Sequence, residues 1–303
     1  MSDRERLDIP WEVPDTFLGL EGEAADLSTA GAVVLPVPYE ATVSYGGGTR
    51  EGPAAILAAS RQVELFDREL GGEPAQRGIH TLPALELTRE GPAAAMEELG
   101  EIYGRLLDEV GDRFLVALGG EHSISAPMIL AHARRRRGRL SVLQLDAHAD
   151  LRDGYQGSPW SHASFAFRCL DEADFVQVGV RSVCAEEEEL IRSRSGITTV
   201  WADEMWEDDG WMERALEALG ESVYLTVDLD YFDPSLVPST GTPEPGGGDW
   251  YRTLRFLRKV FRERTVVGCD VVELAPSPGQ HASDFLAAKL AYKLMGYRFE
   301  AQP

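Results

Sequence analysis

The chain has 303 residues, 44% of them hydrophobic and 26% charged, with a formal net charge of −22. That composition belongs to a soluble globular protein with a sizeable core, and the acidity excludes nucleic acid, which needs a basic footprint. No apolar stretch approaches the ~20 residues of a membrane span and Met1–Arg6 lead into no signal-type apolar segment, so the expected location is the cytoplasm. Cys169, Cys184 and Cys269 are scattered without C-x-x-C spacing, which fits a reducing compartment and no structural zinc.

The opening of the chain is polar and proline-containing; residues 1–30 are expected to form a surface extension ahead of a single domain over 31–303. Nearly continuous apolar runs of strand length then recur at 32–37, 114–118, 140–145, 175–180, 197–200, 223–227 and 266–274. Such runs suit strands buried on both faces of a parallel sheet. Between them the spacing predicts helices over 51–67, 91–110, 123–136, 185–194, 211–219, 249–263 and 282–295, the first with Pro53 in its opening turn. Alternation of the two kinds predicts βαβ units around a central, mainly parallel sheet.

Acids and imidazoles cluster where three of the apolar runs end: His122 after 114–118, Asp146, His148 and Asp150 after 140–145, and Asp228 and Asp230 after 223–227. Ligands of open parallel sheets bind beyond the carboxyl ends of the strands, so the three clusters are expected at one edge. In extended chain, residues two apart point the same way, which would let each cluster converge. Gathered carboxylates repel unless cations neutralise them. Four aspartates balance two divalent ions, and an oxygen-rich set with some imidazole suits Mn²⁺ better than zinc. Two metals ~3.5–4 Å apart share and acidify a water molecule, generating hydroxide at neutral pH.

Other features carry less chemistry. The basic run Arg134 to Arg137 reads as a helix C-terminus, and Glu186 to Glu189 as a solvated helix face. Tyr45-Gly46-Gly47-Gly48-Thr49-Arg50 lacks the Gly-Lys-Ser/Thr ending of a phosphate loop and reads as a flexible loop at a pocket. His80, His132 and His281 stand apart from ligand partners and read as packing or surface residues.

Gly119-Gly120-Glu121-His122-Ser123, Asp146-Ala147-His148-Ala149-Asp150 and Val227-Asp228-Leu229-Asp230-Tyr231-Phe232-Asp233-Pro234 resemble the three signature motifs of the ureohydrolases, the family of arginases, agmatinases and formimidoylglutamases. The resemblance runs from about residue 31 to 297. It implies a three-layer α/β/α fold, arginase-like, with two Mn²⁺ per subunit, hydrolysis of a guanidino group to urea and an amine, and a trimeric or hexameric assembly. It assigns His122, Asp146, Asp150 and Asp228 to one metal, and Asp146, His148, Asp228 and Asp230 to the other. Glu121 stands where arginases usually have aspartate, which suggests a supporting role. His162, in Ser161-His162-Ala163-Ser164, resembles the histidine that moves protons to the departing amine. Glu273, in Val271-Val272-Glu273-Leu274-Ala275-Pro276, resembles the glutamate that grips the guanidinium. Asp233 and Asp270 read as structural.

The loop Leu151 to Trp160 lacks the asparagine-containing reader of the arginine α-carboxylate, since the chain has no asparagine. Ser239-Thr240-Gly241-Thr242-Pro243-Glu244-Pro245 looks more like agmatinases, and Gly157-Ser158-Pro159-Trp160-Ser161-His162 also resembles enzymes of thermophiles acting on N1-aminopropylagmatine. An acidic protein favours a cationic substrate by long-range steering. The expected order is therefore agmatine, giving putrescine and urea by attack of a metal-bridging hydroxide; then aminopropylagmatine, guanidinobutyrate and arginine. Arg152 and Arg181 keep a substrate carboxylate in play. A dinuclear phosphoesterase would ordinarily need asparagine, and a deacetylase of the same fold one zinc only.

Overall fold

The computed structural model describes residues 12, 14–136 and 138–301, and its backbone is one parallel sheet of eight strands in the order β2-β1-β3-β8-β7-β4-β5-β6. The strands are β1 Ala32–Val37, β2 Ile79–Thr81, β3 Phe114–Gly119, β4 Leu140–Leu145, β5 Ala173–Val180, β6 Ile197–Trp201, β7 Ser222–Asp228 and β8 Thr265–Val272. The helices are α1 Gly52–Ser60, α2 Pro92–Val110, α3 Ser125–Arg134, α4 Phe165–Cys169, α5 Ala185–Ser193, α6 Glu204–Glu207, α7 Trp211–Ala218, α8 Trp250–Glu263 and α9 His281–Ala301. Successive residues of a strand face opposite ways, and the core splits accordingly. Val34, Val116 and Leu118 pack with Phe256, Leu290 and Met295 on one side, whereas Val33, Leu35, Leu115 and Ala117 pack with Met96, Leu99 and Ile129 on the other. This is the expected three-layer α/β/α arrangement.

The apolar runs locate seven of the strands to within two residues, because parallel strands covered on both faces must be apolar throughout. Edge strand β2, with three residues, carries too little pattern to see. Helix α1 stops at Ser60 rather than near 67. Asp67 takes the N–H groups of Glu69 and Leu70 at 2.9 and 3.1 Å and the Lys293 ammonium at 2.8 Å, turning the chain back onto α9. Within the stretch expected as a surface extension, residues 1–11 and 13 lie outside the described residues. Phe17 is fully buried and its N–H donates to Thr81 at 2.9 Å. Arg137, the last of the basic run, also lies outside them; Arg134 does end α3. Among the described residues, no helix is long and apolar enough to cross a membrane.

The middle of the sheet sets the site. Strands β3, β8, β7 and β4 are consecutive neighbours, and past their carboxyl ends come His122, Glu273, Asp230 and Asp146. Where β3 leaves the sheet, Gly120 N–H donates to Val37 O at 3.0 Å and Glu121 N–H to Tyr39 O at 2.9 Å. A Cβ on Gly120 would overlap the Tyr39 carbonyl, so the second glycine of the motif is required by backbone packed against backbone. Gly120→Ala is expected to lower unfolding stability by about 1–3 kcal/mol, the usual cost of overpacking, read as a shift of the urea midpoint; an unchanged midpoint would show that the two segments separate freely.

Candidate metal centre

The clusters converge by local turns rather than by strand alternation. Strand β4 ends at Leu145, and beyond it His148 makes an isolated parallel bridge to Ser182. Asp146 Oδ1 accepts the His148 N–H at 2.6 Å and Asp228 Oδ1 accepts the Asp230 N–H at 2.8 Å. Each is an aspartate folding the chain onto its own carboxylate two residues later, and residues 229–231 continue as a 3₁₀ turn. Asp150 completes the set only through a left-handed backbone, φ 53°, rare for a residue with a side chain.

His122 Nδ1 lies 3.2 Å from Asp146 Oδ2, 3.3 Å from Asp150 Oδ2 and 3.1 Å from Asp228 Oδ2. It is a buried nitrogen without a hydrogen-bond partner among the described residues. His148 Nδ1 lies 2.9 Å from Asp230 Oδ2 and 3.6 Å from Asp146 Oδ1. Two groups result that could hold metal ions, His122 with Asp146 and Asp228, and His148 with Asp146 and Asp230, Asp146 being common to both. A buried lone pair converging with carboxylate oxygens, and a donor set of four carboxylates and two imidazoles, fits a pair of divalent cations.

The electrostatics agree. Burial together with Asp146 raises Asp150 to about 7, and burial together with Asp230 and Asp146 raises Asp228 well above the usual carboxylate range. Burial opposes protonation of the imidazoles, yet the surrounding aspartates push both His122 and His148 far upward. The cluster is thus built to hold positive charge, which divalent ions supply in place of protons.

His162 and Glu273 line the same cavity, of about 280 Å³, as His122, His148, Asp150, Asp228 and Asp230. Glu273 follows the last residue of β8 with φ 64°, and its Oε1 accepts the His122 N–H at 2.6 Å. Burial and the neighbouring Glu121 raise its pKa. Burial, then the charges of His148 and His122, lower His162 to about 4. Glu121 accepts the N–H groups of Ala41 and Thr42 and the hydroxyls of Thr42 and Ser123. It therefore braces the loop after β1. Thr42, which sequence reasoning missed, spends its hydroxyl proton on Glu121 and stands 3.1 Å from His162 Nδ1. Ser161 Oγ lies 3.3 Å from the same nitrogen and can donate to it, so these two hydroxyls accommodate either tautomer of the ring.

Three expectations change around the rim. Arg181 does not face the ligand: its Nε and both Nη atoms donate to the carbonyls of Gly179, Asp230, Tyr231, Glu244 and Pro245, which uses all five N–H groups. Glu187 is no solvated helix face. It is buried, accepts Leu151 and Cys184 N–H groups at 2.9 Å each, and stands 3.8 Å from Arg152 Nε. The glycine-rich segment does border the cavity through Tyr45 and Gly46, but it is pinned rather than loose: Glu40 takes the Gly48 N–H and Thr49 hydroxyl, and Gly46 N–H donates to Gly241 O. His132, away from the rim, is the packing residue expected: it is buried against the rings of Tyr103 and Tyr224 and stands 3.1 Å from the Tyr103 hydroxyl.

Residues 30–296 match the arginase family. The chain is 42% identical to an N(1)-aminopropylagmatine ureohydrolase of Synechocystis sp. over 93% of its length and 94% of that protein. It is 32% identical to an agmatinase of Pyrococcus horikoshii, covering 91% of this chain and 95% of the relative. The agmatine ureohydrolase of Thermoplasma volcanium superposes with a TM-score of 0.83 at 25% identity, covering 99% of this chain and 98% of the other.

Because Asp146 belongs to both groups, Asp146→Asn is expected to weaken uptake of both ions when the purified protein is titrated with Mn²⁺. Asp230→Asn should weaken only one. Equal losses in the two variants would remove Asp146 from its shared position.

Proposed function

The chain belongs to the arginase family of ureohydrolases, enzymes that hydrolyse guanidino C–N bonds, and we propose that its substrate is N1-aminopropylagmatine and its cofactor a pair of Mn²⁺ ions. The class rests on one observation: two metal-binding groups sharing Asp146, beside a buried glutamate and a histidine in one cavity. Agmatine stood first on sequence motifs alone. The 42% identity to an aminopropylagmatine ureohydrolase, against 32% to an agmatinase over similar coverage, moves the longer substrate ahead of it.

The rim supports an amine over an acid. Arg181 has no N–H left for a substrate carboxylate, and Arg152 lies beside Glu187 with its guanidinium 5.1 Å from the Tyr155 ring centre. Glu244 stands at the mouth with its carboxylate partly exposed, 3.9 Å from His148 Nε2. Its backbone carbonyl is held by Arg181 at 3.0 Å, so a negative group is presented to a cationic tail from an anchored loop.

One ion would be held by His122, Asp146, Asp150 and Asp228, the other by Asp146, His148, Asp228 and Asp230. Bound there, they acidify water, so that a nucleophile exists at neutral pH. Glu273 orients the guanidinium by accepting its N–H groups; the His122 N–H already anchors one carboxylate oxygen and fixes its direction. His162, its pKa lowered by burial, carries a proton to the departing nitrogen, which cannot leave as an amide anion. Guanidinium and water become urea and a protonated amine; the amine is putrescine from agmatine and the corresponding triamine from aminopropylagmatine.

Urea release by Mn-loaded protein from aminopropylagmatine, agmatine, guanidinobutyrate and arginine tests the substrate. The expected kcat/KM is highest for the first and at least about tenfold lower for the two acids. Turnover of arginine at the rate of the amines would overturn the amine reading, and preference for agmatine would restore the shorter substrate. His162→Asn is expected to lower kcat by about 10²–10⁴ without altering Mn content; a variant with full kcat would exclude the proton-transfer role.

A further inference from the structure

Directly beneath the candidate metal centre, one polar residue interrupts each of five neighbouring strands at the same level. Asp270 of β8 pairs in register with Thr226 of β7, Thr226 with Gln144 of β4, Gln144 with Gln177 of β5, and Gln177 with Thr199 of β6. Residues in register on parallel strands face the same side of a sheet, so these form a row. Asp270, Thr226, Gln144 and Gln177 are fully buried, where an unpaired polar group costs stability. They are bonded to one another: Thr226 Oγ1 donates to Asp270 Oδ1 at 2.5 Å, Gln177 Nε2 to Gln144 Oε1 at 2.8 Å, and Thr199 Oγ1 to Gln177 Oε1 at 3.1 Å. The row also reaches upward. His122 Nε2 lies 2.7 Å from Thr226 Oγ1, and Gln144 Nε2 donates to Asp146 Oδ2 at 2.8 Å.

We propose that Asp270 is a positioning residue for His122, acting through the Thr226 hydroxyl. The proton count carries this. Asp270 accepts from the Tyr224 hydroxyl at 2.8 Å as well as from Thr226. A threonine hydroxyl has one hydrogen; given to Asp270, it leaves the oxygen able only to accept from His122. His122 Nε2 therefore carries the ring hydrogen, and the Nδ1 lone pair is turned toward Asp146, Asp150 and Asp228. Phe165 stacks on the same imidazole with ring centres 3.9 Å apart, so the ring is fixed in plane as well as in tautomer. Metal-ligating histidines depend on such partners for orientation and basicity. Here the carboxylate acts one hydroxyl away, on the neighbouring strand.

The inference rests on His122 being a metal ligand, and the test separates the two. Mn²⁺ is titrated into metal-depleted full-length protein by calorimetry, and the Mn²⁺ electron paramagnetic resonance signal is followed for exchange-coupled pairs. Wild type is expected to take two ions and give the coupled signal; one ion or none would sink the ligand assignment itself. Thr226→Val keeps shape but breaks the relay, and is expected to weaken one of the two ions on the order of 10–100-fold, with an uncoupled signal at limiting Mn²⁺. Asp270→Asn removes the anionic acceptor and weakens the hold on the Thr226 hydrogen, so a smaller loss at the same ion is expected. Thr226→Ser should restore both ions. If Asp270→Asn does not fold, the isosteric Thr226→Val and its serine counterpart decide alone. Wild-type affinity for both ions in a folded Thr226→Val variant would overturn the proposal.

Discussion

Concentrating four carboxylates in a buried space is the constraint from which the rest of this structure follows. Each would be expelled or neutralised in an apolar interior. The fold holds them by giving every one a donor or a cation-binding role. Asp146 and Asp228 are tethered by N–H groups two residues ahead, and Asp230 by the Ala147 N–H at 3.1 Å. Those tethers occupy one side of the carboxylates and leave the other for divalent ions, whose charge then becomes part of the stability of the sheet edge.

The same demand for satisfied polar groups runs outward from the centre in both directions. Below, a polar row crosses five strands of an otherwise apolar sheet and orients the groups above it. Above, carboxylates at the rim are spent on backbone: Glu121 and Glu40 brace the loop after β1, and Glu187 joins the 151–160 loop to α5. Arg181 does the opposite work, gathering carbonyl oxygens so that the 244–248 loop stays closed on β7. The loops that shape the far end of the substrate are therefore anchored by charged side chains whose partners are backbone atoms.

Seven strands, seven of the nine described helices and the candidate ligands were readable because each depends on local pattern, whereas the short helices α4 and α6 were not. A fully covered parallel strand must be apolar, and a ligand at its carboxyl end must be among the next few residues. Alternation along extended chain does not by itself bring the carboxylates together: they meet through aspartate-centred turns and a left-handed Asp150. Glu187, read as solvated, is buried because it caps α5 while reaching back to Leu151. Arg181, read as a possible ligand reader, is consumed by carbonyls 2 to 64 positions away in sequence. Nothing local to either residue reports those partners.

What the sequence determined by itself is the chemistry: which side chains can bind metal, and that they lie at strand ends. These follow from residue type and short-range spacing. Only the tertiary structure decided that β3, β8, β7 and β4 are adjacent, that Thr226 sits between His122 and Asp270, and that Arg181 is spent on backbone carbonyls. Those facts depend on strand order and on the register of parallel neighbours, which are set by long crossovers and whole-sheet packing, so residues 44 to 104 positions apart share single protons.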